Sequence, residues 1–274
     1  MSKITVLGSS GFIGSHLAEK IRAAGSDCFL PGRDEDLAGR ELGHVIYCIG
    51  LTADFRTRPF DTVEAHVCRL LEVLRSCRYD SFLYLSSTRV YSSGEKDVAE
   101  EDDALRVRPL DAGDLYNISK VMGESATLNC GGASARVARL SNVYGGDFDS
   151  DNFLSEVLRD AITNGKVVLR TSPDSAKDYV SIDDVVEGLI SIALDGRQRI
   201  YNVAGGVNVS NRELLESVSA LTNCRVEFAP GAPLVVFPRV SIERMRADFG
   251  FAPASVLGQM GRLVNLYTEG MKER

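Results

Sequence analysis

A hydroxyl at Ser87, a phenol at Tyr116 and an ammonium at Lys120 are groups that together suit proton and hydride exchange at a carbon bearing oxygen. In the run Tyr116-Asn117-Ile118-Ser119-Lys120 the phenol and the ammonium are four residues apart, so a helix sets them on one face. An ammonium beside a phenol favours phenolate and is expected to lower the tyrosine pKa from about 10 toward neutrality. Tyr116 is then a candidate acid/base for a carbinol or carbonyl oxygen. Ser87 closes the apolar run Phe82-Leu83-Tyr84-Leu85, at the strand end where ligands meet a parallel sheet, and its hydroxyl suits the same oxygen. The tyrosine–lysine spacing also arises by chance, as a helix-surface pair without chemistry, so it needs elements that position it.

Hydride exchange needs a carrier, and the chain opens on a loop suited to one. Ile4-Thr5-Val6-Leu7 reads as a short buried strand, and a helix is predicted over about Phe12–Ala24, with Ile13, Leu17 and Ile21 at four-residue spacing and Gly25 as its stop. Between them lies Gly8-Ser9-Ser10-Gly11-Phe12-Ile13-Gly14. The first glycine permits the tight turn, the second lets a pyrophosphate approach the backbone, and the third lets helix and strand pack closely. The helix N-terminus adds free N–H groups and a positive dipole end. Gly8, Ser10, Gly11, Phe12, Ile13 and Gly14 are the candidate dinucleotide contacts here. An acidic residue at the end of the second strand would hold the ribose of NAD; the position falls on Gly32, and Arg33 follows. This favours NADP, with NAD as the alternative, although Asp34 and Asp36 are near enough to neutralise Arg33.

Further strands are predicted near Cys28-Phe29-Leu30, at Val45–Ile49, at Phe82–Leu85 and at Ala135–Leu140. Helices are predicted over about Pro59–Cys77 and Asp114–Cys130. The alternation is that of an α/β fold, a doubly wound parallel sheet of Rossmann type. The segment from Pro31 to His44 is barely long enough for a parallel crossover, so a strand usual in such folds looks trimmed away. After Gly145-Gly146 the alternation loosens. The expected organisation is a dinucleotide-binding domain over 1–145, with segments near 178–205 returning to it, and a small C-terminal α/β substrate lobe over most of 146–274. The acidic run Glu100-Glu101-Asp102-Asp103 reads as a solvated surface.

The bulk properties narrow the classes. A net charge of −7 argues against a nucleic-acid binder. No stretch approaches a membrane span and no signal peptide is evident, so a cytoplasmic location is expected. The six cysteines lack C-x-x-C pairing and are expected to be buried free thiols; three scattered histidines give no metal site.

Taken together, the glycine loop, Leu85-Ser86-Ser87-Thr88-Arg89-Val90-Tyr91, Tyr116-Asn117-Ile118-Ser119-Lys120, Arg139-Leu140-Ser141-Asn142-Val143-Tyr144-Gly145 and Lys177-Asp178-Tyr179-Val180-Ser181-Ile182-Asp183-Asp184-Val185 resemble, in order, the signatures of the extended short-chain dehydrogenases/reductases. The group resembled is that of the nucleotide-sugar epimerases, dehydratases and reductases. The resemblance implies Ser87, Tyr116 and Lys120 as the catalytic set, with Thr88 as the runner-up hydroxyl and a substrate contact. It places Cys48, Ile49 and Gly50 along the cofactor, with Tyr116 and Lys120 also against the nicotinamide ribose. It places Asn142, Asn152, Phe153 and Arg239 on the nucleotide-sugar substrate, and Lys177 where relatives often have arginine. Relatives of this kind pair as homodimers through the two long helices.

Two departures matter. His66 replaces a common asparagine, and a packing or hydrogen-bonding role is expected for it. Thr88-Arg89 stand where the 4,6-dehydratases carry an acidic pair, which argues against elimination of water. The leading expectation is therefore an NADP-linked reductase of a keto group on a nucleotide-activated deoxysugar. A 4-epimerase with tightly bound NAD is the close alternative, and a non-catalytic NADP-sensing protein the distant one.

Overall fold

The computed structural model describes residues 2–52 and 55–272. β1 (Ile4–Leu7) is buried at every position, as a strand covered on both faces requires. α1 (Phe12–Ala23) buries Gly14, Leu17, Ala18 and Ile21 and stops at Gly25, whose φ of +69° suits glycine. β2 (Cys28–Phe29) and β3 (His44–Tyr47) follow. The chain between them forms no helix or strand, only one bridge between Glu41 and Arg78, in keeping with the trimmed segment.

The long helix expected next is present in extent but not in uniform winding. α2 (Pro59–Val63) and α3 (Arg69–Ser76) are joined by a π-helical turn, Glu64–Cys68. β4 (Ser81–Ser87) then ends at Ser87, followed by a 3-10 turn over Thr88–Tyr91 and the short β5 (Val98–Ala99). α4 (Asp114–Cys130), β6 (Ala135–Leu140) and β7 (Asn142–Tyr144) complete the first half. Beyond them come α5 (Phe153–Arg159), β8 (Lys166–Leu169), β9 (Ala176–Ser181), α6 (Ile182–Asp195), β10 (Ile200–Val203), β11 (Asn208–Ser210), α7 (Asn211–Thr222), β12 (Arg225–Phe228), β13 (Arg239–Val240), α8 (Glu243–Phe249) and α9 (Val256–Lys272).

The central sheet runs β10-β6-β4-β3-β1-β2, all parallel. Helices cover both faces. Leu17 and Ile21 of α1 join Val185, Leu189 and Ile192 of α6 against one face; Leu70 and Val73 of α3 cover the other. The chain leaves β1 toward β2 and returns to β3 on β1's other side, so the strand order reverses between β1 and β3, where such sheets open a ligand crevice. A second apolar core gathers Leu154, Val157 and Leu158 of α5 with Leu214 of α7 and Met260, Leu263 and Tyr267 of α9. No helix among the described residues is long and apolar enough to cross a membrane.

The acidic run is only partly a solvated surface. Glu101 is buried, accepts the Asn202 backbone N–H at 3.0 Å, and lies 3.5 Å from Arg244. It belongs to a buried network. Arg139 grips Glu124 with two nitrogens, at 3.0 and 2.6 Å, and donates to the Glu101 carbonyl and the Tyr91 hydroxyl. Ser86 donates to Glu124 at 2.5 Å, and Tyr91 to Asn202 at 2.8 Å. A carboxylate inside an acidic run can be drawn inward because Arg139, buried on β6, needs acceptors there. The cysteines also depart from expectation. All six are free, but only Cys224 is buried, and Cys68 and Cys130 are exposed.

Candidate active site

A cleft of about 590 Å3 opens at the C-terminal ends of β1, β3, β4 and β6 and reaches the segments around α5 and β9. At one end lies the glycine loop. Gly8 has φ +86°, and its carbonyl accepts the Gly11 N–H at 3.1 Å. A Cβ on Gly14 would stand 2.2 Å from that carbonyl, so only glycine lets α1 start this close to β1. α1 has no side-chain cap on its first N–H groups, which face the cleft with Gly11, Phe12, Ile13 and Gly14. Cys48, Ile49 and Gly50, just past β3, line the same end. Bare backbone, uncapped N–H donors and a helix dipole form a cradle that fits a dinucleotide pyrophosphate. Ser10 and Arg33 are exposed and stand outside the cleft wall.

The sequence-expected trio meets at the middle of the cleft. Ser87 ends β4, and Tyr116 and Lys120 share one face of α4. Tyr116 is 3% exposed, its ring 5.1 Å from Phe55 and 5.4 Å from His66. Burial holds its pKa above the ordinary value; the Ser87 hydroxyl, the Arg89 charge and the Thr52 hydroxyl pull it back only in part. The sequence-based expectation ran the other way, and the first reason is the phenol's own burial; Lys120 does little to offset it. Its Nζ donates to the Leu85 carbonyl at 2.9 Å and lies 5.9 Å from the Tyr116 ring centre. Burial pushes the Lys120 pKa down to about 7, with Glu124 and Cys48 opposing. An ammonium that is itself costly to charge does little to favour a neighbouring phenolate. Ser87 is well used: its oxygen accepts the Arg89 N–H at 3.2 Å, which leaves its own proton for the phenol side.

His66 is fully buried on the π turn. Its Nε2 accepts the Leu51 N–H at 3.2 Å, so the ring proton sits on Nδ1, 2.9 Å from the Ser119 hydroxyl. Ser119 donates to the Tyr116 carbonyl at 2.8 Å. Burial and the Lys120 charge hold the imidazole pKa at about 2, so it is neutral. This is the hydrogen-bonding role expected of it: His66 ties the residues after β3 to the helix bearing Tyr116.

Toward the far end stand Thr88, Asn142, Asn152 and Phe153, all on the wall. Asn142 Nδ2 donates to the Asp178 carbonyl at 2.7 Å, and Lys177 Nζ lies 4.5 Å above the Phe153 ring. Arg239 is exposed and is not part of the wall, although Pro238 and Val240 beside it are. Thr52, Phe55 and Arg56 also line the cleft and were not anticipated. They follow β3 in a stretch without periodicity, so no pattern marks them. Arg89 could be seen in sequence only as a missing acid.

The sequence matches the NAD dependent epimerase/dehydratase family over residues 4–204. It is 22% identical over 263 residues to UDP-glucuronic acid decarboxylase 1 of Arabidopsis thaliana, covering 83% of this chain but only 60% of that relative's length. It is 24% identical to a dTDP-4-dehydro-6-deoxy-D-allose reductase of Streptomyces bikiniensis, with 91% of each chain covered. Among solved structures, RMD from Pseudomonas aeruginosa complexed with NADPH superposes with a TM-score of 0.79 at 22% identity, over 98% of this chain and all of that one, a likeness of fold. With the family match spanning most of the chain and the cradle in place, this chain belongs to the NAD dependent epimerase/dehydratase family, whose enzymes use a nicotinamide dinucleotide.

Proposed function

We propose that this enzyme reduces a keto group on a nucleotide-activated sugar, with NADP as the carrier. The observation that carries the reading is the meeting of Tyr116, Ser87 and Lys120 in one cleft with the glycine cradle. Phe12, Ile13 and Gly14 would hold the dinucleotide through backbone N–H groups, with Gly11 leaving room for its close approach. Bound there, it supplies hydride. Ser87 positions the carbonyl oxygen of the sugar, and Tyr116 gives that oxygen its proton. Lys120 replenishes the phenol and contacts the ribose. Buried Phe55 and neutral His66 pack the ring of Tyr116 into one orientation and keep water from it. Asn142, Asn152, Phe153 and Lys177 serve the sugar nucleotide.

Among the described residues no carboxylate is among the groups acting on Tyr116, and Thr88-Arg89 occupy the positions next to Ser87. This arrangement supports reduction over elimination of water. One observation favours a second reading, a 4-epimerase with retained NAD: Arg33, the residue that suggests NADP, stands outside the cleft wall. A homodimer through α2, α3 and α4 is in keeping with Phe60 and Met122, which are 89% and 54% exposed.

The test is direct. Purified protein is assayed with NADPH and with NADH against 4-keto nucleotide sugars. Consumption of NADPH that is lost in Tyr116→Phe supports the reductase. Copurification of stoichiometric NAD with no net cofactor turnover supports the epimerase. Failure to bind either dinucleotide removes both.

A further inference from the structure

The wall around the phenol carries positive charge that the reaction above does not use. Arg89 leaves β4 two residues after Ser87, and its guanidinium carbon lies 5.9 Å from the Tyr116 ring centre and 5.2 Å from that of Phe55. Arg56 lies over the same Phe55 ring at 4.6 Å. A methyl group placed on Gly113 would be 3.7 Å from Arg89 Nη2 and 3.9 Å from Arg56 Nη2, so the two guanidinium ends converge on one spot, with Asp111 Oδ1 3.1 Å from the same point. Both residues, and Lys177, line the cleft.

Among the described residues these cations are only partly compensated, by Asp111 and Asp114. Arg89 Nε is buried with no hydrogen-bond partner among the described residues. Burial lowers the Arg89 pKa, and the Arg56 charge lowers it further; Tyr116, Asp114 and Asp111 oppose. Burial and the Arg89 charge likewise lower that of Lys177, against Glu156. The nearest carboxylates are largely committed elsewhere. Asp114 accepts from the Arg108 N–H at 2.7 Å and from Asn117 Nδ2 at 2.8 Å, and Asp111 accepts from the Gly113 N–H at 2.8 Å. A half-buried guanidinium that is repelled by its neighbours and leaves its Nε unpartnered carries a cost to folding that an anionic ligand would offset.

We propose that Arg89, with Arg56 beside it, binds a carboxylate carried by the sugar ring itself, so that the substrate class is a nucleoside-diphosphate-linked acidic hexose. This rests on the nucleotide-sugar reading above. The phenol must reach the oxygen of the reacting carbon, so an anion held at Arg89 belongs to the reacting ring. Planar guanidinium against planar carboxylate also fixes the ring's orientation through paired hydrogen bonds, which an ammonium would not.

The experiment measures equilibrium binding of pairs differing only in a carboxylate against a hydroxymethyl on the ring: hexuronate and hexose linked to UDP, to dTDP and to GDP, with the free nucleoside diphosphates alongside. The expected result is a preference for the hexuronate of roughly tenfold or more in the wild type. In Arg89→Met that preference falls to near one, and Arg89→Lys restores it only in part. Arg56→Met, which leaves Arg89 in place, lowers it by less and keeps the test open if Arg89→Met fails to fold. A wild-type preference near one, or a preference unchanged in both methionine variants, overturns the proposal while leaving nucleotide-sugar binding intact. Equal weakening of the free diphosphates and the hexuronates in Arg89→Met assigns the arginine to the diphosphate and also overturns it. Binding of no pair at all overturns both this proposal and the reading beneath it.

Discussion

The two ends of the cleft are made of different materials. The dinucleotide end is backbone: Gly8, Gly11 and Gly14 shape the turn by the absence of side chains, and the first turn of α1 offers N–H groups. The phenol end is side chains, charged or polar: deeply buried Tyr116, Lys120 and His66, half-buried Arg89, and Glu124 behind them. A backbone site binds what every relative binds, because amide groups vary little with sequence. A side-chain site is free to diverge, and here it places a guanidinium where an acid stands in the dehydratases the sequence resembles.

The contrast is sharpest in turnover. Tyr116→Phe removes one hydroxyl from the phenol end and should cut kcat by about 10²- to 10⁴-fold, with dinucleotide affinity unchanged by calorimetry. An equal loss of cofactor affinity would erase the distinction between the ends. Next in size is Glu124→Ala, which strands Arg139 without its buried partner at the foot of the phenol end. It should cost about 3–5 kcal/mol in urea unfolding, against far less for an exposed pair such as Lys20–Glu187. At the backbone end, Gly14→Ala should weaken dinucleotide binding by about 10²-fold, because the new Cβ would fall 2.2 Å from the Gly8 carbonyl and displace the cradle. Wild-type affinity in that variant would show that the backbone end yields after all.

A separate effect is in pH dependence. The Lys120 pKa drops from 10.5 to about 7 on folding. Between these values the unfolded chain holds a proton that the folded chain does not, so stability rises with pH across that window. Below about 7 the penalty for the buried ammonium is present in full. Lys120→Met should flatten this rise in urea midpoints measured from pH 7 to 10. An unchanged slope would mean that the ammonium is not desolvated.

The same division explains what could be read from sequence. Ile4–Leu7, Asp114–Cys130 and Ala135–Leu140 were legible because a buried strand and an amphipathic helix each impose a period on their residues, and their bounds hold. The glycine loop was legible because only glycine meets its steric demand. Thr52, Phe55 and Arg56 were not, since an irregular segment reaches the cleft through tertiary contacts that leave no local pattern. Glu101 and Lys120 show the same limit in charge. Spacing placed Lys120 and left Glu101 in a run read as solvated surface, while the electrostatics of both follow from burial, which depends on Arg139 and on the strands packed around them.

The π-helical turn at Glu64–Cys68 has a consequence for evolution and engineering alike. A π turn is one residue longer than the α-helical path it replaces, with the flanking helix left in phase. Deleting a single residue there should let α2 and α3 anneal into an uninterrupted α-helix at little thermodynamic cost. It would also rotate the imidazole of His66 off the Leu51 amide. The chain thus keeps a spare residue in a half-buried helix, and the segment after β3 is where its loss would be felt.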